Sequence, residues 1–198
     1  MKPLIARFMI AADHTKLFPP EGPPEFAFLG RSNVGKSHLI NSLLGQKVAH
    51  VSSTPGRTRT INFIGIYAKP EHPRPELILV DLPGYGYAKL SRAISAEWPK
   101  FIEPYLKDRG ALQLAVVLVD SNVPPQRSDR QLIEFLQQTG RDFLVVATKT
   151  DKLSSTKLRP LLTSLAREHG VATVLPYSAK TDTGRNELWQ EIRRRAAP

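Results

Sequence analysis

FAFLGRSNVGKSHLINSLL, residues 26–44, runs from an apolar stretch through a glycine-spaced loop into a helical pattern. Phe26 to Leu29 reads as a buried strand, and Leu39, Ile40, Leu43 and Leu44 recur at helical spacing. The loop GxxxxGKS, residues 30–37, therefore sits where a strand hands over to a helix. Gly30 and Gly35 admit backbone conformations closed to residues with a Cβ. The N–H groups along Gly30, Arg31, Ser32, Asn33, Val34 and Gly35 can then converge on one anion at the helix N-terminus. Lys36 adds positive charge towards the β and γ phosphates of a nucleotide, and the Ser37 hydroxyl is placed to ligate the magnesium ion that bridges them. A chance glycine turn would not need eight positions in strand, loop, helix order.

The 198 residues, 41% of them apolar, can bury one substantial core, and a single domain is expected. Cysteine is absent, which excludes a disulfide framework, a thiolate metal site and a thiol nucleophile, and fits a cytoplasmic protein. No apolar run reaches the roughly 18 residues of a membrane span, and the N-terminus lacks a signal-peptide core. The net charge of +10 falls on residues 1–70 and 131–198, with a neutral middle. That asymmetry suits a polyanionic partner such as RNA, although surplus lysine for solubility has the same composition.

Along the chain, residues 1–12 carry enough apolar side chains for an extra edge strand or a short helix, and PPEGPP at 19–24 reads as a stiff connector. Residues 1–24 thus form an N-terminal extension and 25–198 the domain proper. SSTPGRTRT at 52–60 is a basic, turn-rich loop. Residues 60–68 and 76–81 read as strands that a short loop joins, so they should pair antiparallel. Pro99 and Pro104 should interrupt any helix over 85–110, whose aromatics at helical spacing read as core. Apolar strands over 112–120, 143–148 and 172–177, a helix over 124–138 and a last helix over 183–196 argue a mostly parallel sheet with helices on both faces.

Three further constellations close strands. Asp81, Leu82, Pro83 and Gly84 place a carboxylate that can hold magnesium through a water, and a glycine N–H that can approach the γ phosphate. Thr148, Lys149, Thr150 and Asp151 place a carboxylate that can accept from the N1–H and N2 amine of guanine, donors that adenine lacks. Ser178, Ala179 and Lys180 can face the guanine O6. Arg193, Arg194 and Arg195 end the last helix, as an anion patch or as cations favoured by the helix dipole.

GRSNVGKS, DLPG, TKTD and SAK make the chain resemble a translation-factor-type GTPase, and TPGRT at 54–58 resembles the TrmE/Era/EngA/EngB/septin group. STPGRTRTINF, DLPGYGYAKLS followed by Trp98, YLKDR at 105–109 and TKTDKL at 148–153 are similar to EngB proteins over about residues 25–192. The resemblance implies a Ras-like G domain built on a P-loop, with one antiparallel strand in the sheet. It implies GTP and GDP as ligands, GTP hydrolysis with Lys36, Thr58 and Gly84 acting on the phosphates, and magnesium at Ser37, Thr58 and Asp81. It also implies a partner in the large ribosomal subunit precursor, rRNA and ribosomal proteins included, with a link to cell division and septation, and a monomer. The first switch falls on Gly56, Arg57, Thr58, Arg59 and Thr60, and Asn33 matches an asparagine that helps bind potassium in parts of the wider group. Two departures stand out. Thr148 replaces the usual asparagine, which should shorten a tether between base pocket and phosphate loop, and Tyr85 replaces a water-positioning glutamine, so intrinsic hydrolysis should be slow. A binding module without useful hydrolysis would share every nucleotide motif, whereas transport GTPases or septins would carry extra segments.

Overall fold

A computed structural model describes residues 4–49, 60–85 and 93–196, with backbone alone over 93–100. Seven strands, β1 (Ile5–Ala12), β2 (Glu25–Gly30), β3 (Ile61–Tyr67), β4 (Leu77–Asp81), β5 (Leu112–Asp120), β6 (Phe143–Thr148) and β7 (Val174–Pro176), form one sheet in the order β1-β3-β4-β2-β5-β6-β7. The α-helices among the described residues are α1 (Lys36–Leu44), α2 (Ala93–Asp108), α3 (Arg127–Gln138), α4 (Ser155–His169) and α5 (Arg185–Ala196). β3 is antiparallel to both of its neighbours and every other pair is parallel, as expected for a short β3–β4 connection in a sheet otherwise built by helical crossovers.

Every residue of β2 and of β4 is buried, so these strands read as continuous apolar runs. Their side chains still alternate. Ala27, Leu29, Ile78 and Val80 face Ile102, Tyr105 and Leu106 of α2, Leu132, Ile133 and Leu136 of α3, and Leu165 of α4. Phe26, Phe28, Leu79 and Val116 face Leu39, Ile40 and Leu43 of α1, and Leu188, Trp189 and Ile192 of α5. On that second face the buried carbonyl of Leu43, near the end of α1, accepts from Trp189 Nε1 (2.9 Å) and Arg185 Nε (3.3 Å), so side chains of the last helix satisfy the end of the first.

Of the two forms left open for the N-terminal stretch, edge strand or short helix, it takes the strand, because β3 offers it an open edge; the pairing carries an irregularity between Phe8 and Ile10. Other expectations need correction. α2 runs unbroken through Pro99 and Pro104. A proline removes one ladder bond and bends a helix, and continued burial of Ile102, Tyr105 and Leu106 outweighs that cost. α4, which the reading of the sequence did not include, also contains a proline, Pro160. β7 spans three residues rather than 172–177.

At the edge of the sheet remote from the phosphate loop, Glu25 is fully buried at the start of β2. Its carboxylate accepts from the Tyr105 hydroxyl (2.9 Å) and from Arg109 Nε (3.1 Å), and Arg109 also donates to Pro19 O (2.8 Å). Burial pushes the Tyr105 hydroxyl well above its ordinary value, and the Glu25 charge adds to the shift. The network fastens the end of α2 and the proline connector to the strand that feeds the phosphate loop. Glu25→Leu would leave the Arg109 guanidinium buried without its carboxylate and should cost about 3 to 5 kcal/mol, read as a lower urea midpoint; a loss within error would show that the network is not a stabilising anchor.

Candidate functional site

The phosphate loop leaves β2 at Gly30, where a side chain has no room: a Cβ would lie 2.7 Å from Val34 Cγ1 and 3.1 Å from Leu118 Cβ. Gly35 is needed for a different reason. It caps α1 at φ +102°, in the region that favours glycine. The conformational role expected for both glycines therefore belongs to Gly35, and the role of Gly30 is spatial. Lys36 and Ser37 open α1, whose first-turn N–H groups have no intrahelical acceptors and so suit an anion. The Lys36 ammonium pairs with the Asp81 carboxylate at the end of β4, both side chains being nine-tenths buried or more.

Beyond Asp81 the chain stays against the loop. Leu82 N–H donates to Phe28 O (3.2 Å), Tyr85 N–H to Gly30 O (3.3 Å), and Ser32 N–H to Tyr85 O (3.0 Å), which extends the β2–β4 alignment past the strand ends. Leu82 and Pro83 are buried. Gly84 makes the closest approach, and a Cβ there would lie 3.2 Å from Ser32 N.

The segments expected to read the base reach the same loop from the other side. The Thr148 hydroxyl donates to Val34 O at 2.7 Å, with Val119 O farther away at 3.2 Å. Threonine, shorter than the usual asparagine, still tethers the phosphate loop, because β6 brings the Thr148 backbone close enough for a hydroxyl to span the gap. Lys149, at φ +60°, donates through Nζ to Asn33 O and Asp120 Oδ2, each at 2.7 Å. Burial alone would raise the Asp120 carboxyl, but hydrogen bonds from Lys149 and Asn122 outweigh it and hold the group below its ordinary value. Asp151 is exposed, and the Ser178 hydroxyl donates to its Oδ1 at 2.7 Å. Ser178 Oγ in turn accepts from the N–H groups of Lys180 (3.2 Å) and Thr181 (3.3 Å), so the 178–180 turn orients the carboxylate. Thr150 is buried, with its N–H on Tyr177 O, and Ala179 is half-buried beside it in the chain.

Gly56, Arg57, Thr58 and Arg59 lie outside the described residues. Thr60 is half-buried, and its hydroxyl donates to Asn62 Oδ1 (3.0 Å). Three contributors escaped the sequence reading. Asn41 accepts from the N–H groups of Val48 and Ala49 and donates to Ala49 O, fixing the chain that leaves α1. Asp120 closes β5 at the same sheet end as the motifs, a position that could have drawn attention to it. Asp129 accepts from the Tyr85 hydroxyl, and nothing in sequence spacing relates the two.

No group of three or more His, Cys, Asp or Glu side chains among the described residues could hold a metal ion by itself. Ser37 and Asp81 offer hard oxygen donors, a set that suits magnesium once phosphate and water complete the octahedron. The C-terminal arginines are less free than their run suggests: Arg194 and Arg195 both pair with Glu191, whose carboxyl they hold below its ordinary value, and Arg193 lies over the Trp189 ring. No described helix is long and apolar enough to cross a membrane.

Behind the loop a cavity of about 190 Å³ is lined by Arg31, Asn33, Gln126, Asp129, Lys149 and His169, among others. His169 is 5% exposed, and neither ring nitrogen has a partner. Burial pushes its imidazole below the ordinary value, and the charge of Arg130 adds to the effect.

Against known proteins, the family described as 50S ribosome-binding GTPase matches residues 25–149. The chain is 59% identical over 191 residues, 96% of its length and 90% of the relative's, to the probable GTP-binding protein EngB of Acidobacterium capsulatum. It is 53% identical over 189 residues, 96% of its length and 93% of the relative's, to that of Koribacter versatilis. In three dimensions it overlays a crystal structure of a probable GTP-binding protein EngB with a TM-score of 0.70, covering 87% of this chain and 98% of that one at 24% identity, which speaks to the fold.

Thr148→Val removes the hydroxyl at nearly constant volume and should weaken guanine nucleotide binding about 5- to 10-fold, the worth of one buried hydrogen bond; unchanged titrations would reject the tether. Because buried His169 stays neutral where an unfolded histidine takes up a proton, stability should fall as pH drops below about 6.5, the unfolded value. His169→Leu should flatten melting temperature between pH 7.5 and 5.5. An equally steep fall in the variant would assign the pH dependence elsewhere.

Proposed function

The chain belongs to the EngB group of the 50S ribosome-binding GTPase family, and from that premise we propose that it is a GTP-operated switch in large ribosomal subunit assembly. The observation that carries the nucleotide half of this reading is the pair of bonds from Thr148 to Val34 O and from Lys149 to Asn33 O. They set the base-recognition carboxylate, Asp151, at a fixed place relative to the phosphate cradle. Asp151 would accept from guanine N1–H and N2, with Ser178, Ala179 and Lys180 on the O6 side. Lys36 would exchange its partner Asp81 for the β and γ phosphates. Ser37, Thr58 and, through a water, Asp81 would hold magnesium, which neutralises charge on the phosphates during transfer to water.

Tyr85 offers no side-chain amide to orient that water, so hydrolysis by the isolated protein should be slow, and potassium beside Asn33 or contact with the ribosome would supply the missing assistance. The basic ends of the chain support an RNA-bearing partner in the cytoplasm, with rRNA and ribosomal proteins of the large-subunit precursor as the surface bound and a monomer as the acting form. A link to division and septation would follow through ribosome supply. A binding switch with negligible hydrolysis is the second reading, favoured by Tyr85; a turnover number distinguishes the two.

Fractionating cell extract with GDP or with a non-hydrolysable GTP analogue tests the proposal: the protein should move with large-subunit particles in the GTP form. Identical profiles for the two nucleotides would remove the switch. Asp151→Asn should shift preference from guanine to xanthine nucleotides, whose C2 oxygen accepts from an amide. Retained guanine preference would show that the base is read elsewhere.

A further inference from the structure

Tyr85 follows Gly84 directly and is tied down at three points. Its N–H is on Gly30 O, its carbonyl accepts from Ser32 N–H, and its hydroxyl donates to Asp129 Oδ1 at 3.0 Å. Asp129 belongs to the first turn of α3 and is 3% exposed, so the acceptor is a carboxylate held inside the protein rather than a surface group. The Arg31 charge, contributed by the phosphate loop itself, acts on both partners. The ring of Tyr85 packs against the core on the α2–α3 face. Packing alone would be served as well by phenylalanine. Among the described residues, the hydroxyl is the group that donates a side-chain hydrogen bond to the Asp129 carboxylate.

Gly84 lies between two such fixed points. On one side Leu82 N–H is bound to Phe28 O; on the other Tyr85 is held by Asp129 and the loop backbone. A Cβ on Gly84 would lie 3.2 Å from both Ser32 N and Ser32 Oγ, tighter than ordinary contact, so a side chain there would push against the loop. A glycine pinned on both sides presents its N–H in one place, and a donor already in place loses less freedom when it binds an oxygen.

We infer that Asp129 is a positioning residue for triphosphate recognition, acting through the Tyr85 hydroxyl to hold the Gly84 turn against the phosphate loop. This rests on the reading of Gly84 as the group that meets the γ phosphate. Helix α3 then becomes a mechanical part of the nucleotide switch, although it contributes no group to the nucleotide. Whatever shifts the first turn of α3 shifts the Gly84 amide.

Three single variants and one double variant test this, each titrated with GDP and with a non-hydrolysable GTP analogue and each checked by thermal unfolding. Tyr85→Phe and Asp129→Leu should each lower affinity for the analogue about 3- to 10-fold while leaving GDP affinity unchanged, the scale expected from one hydrogen bond. Asp129→Asn keeps an oxygen acceptor at the same point and should retain the parent ratio within about twofold. The double variant Tyr85→Phe with Asp129→Leu should be no worse than either single, because both remove the same bond. An unchanged ratio in Tyr85→Phe, additive losses in the double variant, or parallel losses for GDP and the analogue would overturn the inference. If Asp129→Leu does not fold, Tyr85→Phe and Asp129→Asn decide it alone. A parent protein that fails to distinguish the triphosphate from GDP would instead sink the underlying reading of Gly84.

Discussion

The main chain of three consecutive loop residues, Ser32, Asn33 and Val34, is the constraint on which this site depends. Ser32 N–H is bound by the Tyr85 carbonyl, Asn33 O by the Lys149 ammonium and Val34 O by the Thr148 hydroxyl. The loop is therefore gripped from β4 on one side and β6 on the other through groups that every residue possesses. Side chains here are constrained for separate reasons: Val34 is buried in the core, Asn33 lies at φ +66°, Gly30 lacks space for a Cβ and Gly35 lies at a left-handed φ. The grip on the main chain explains why a motif with four unspecified positions can still define one geometry. What holds those positions is backbone.

Much of this was legible because the chemistry sits at strand ends. Apolar runs end in GRSNVGKS, DLPG, TKTD and SAK, and parallel strands deliver all four to one edge of the sheet. Legibility stopped where a contact depends on side chains from distant elements. Asp129 and Tyr85 lie 44 positions apart, Arg109 and Glu25 lie 84, and neither pair leaves a periodic trace. At Thr148 the residue type points to a shorter tether, and the approach of the β6 backbone that lets the hydroxyl reach Val34 O leaves no trace in the sequence. Prolines misled in a different way. Pro160 is exposed within α4, so solvent can hydrate the carbonyl it leaves without a donor, and the apolar face that carries Leu165 continues past it.

The two ends of the sheet perform different tasks. At the carboxyl end, charged groups such as Lys36, Asp81, Lys149 and Asp120 are paired with one another around a cradle, where an anion can compete for them. At the opposite end, Glu25, Tyr105 and Arg109 are joined in a buried network that no ligand enters. α2 ends at Asp108, one residue before Arg109, so the buried network anchors its C-terminal end.

β3 carries hydrogen bonds on both edges over the same residues, 62–66 pairing with β1 outside and with β4 inside. A strand so held cannot slip by one register without breaking two ladders and turning its buried side chains outward. Residues 60 and 61, where the described chain resumes after the segment expected to sense the γ phosphate, are thus moored to the rigid body of the sheet. In isotope-exchange terms, amides of β3, bonded into ladders on both edges, belong to the slowest-opening unit among the described residues. The outer strand β1 covers the far edge of β3, so that the open edge of the sheet on that side falls on a strand set apart from the phosphate loop.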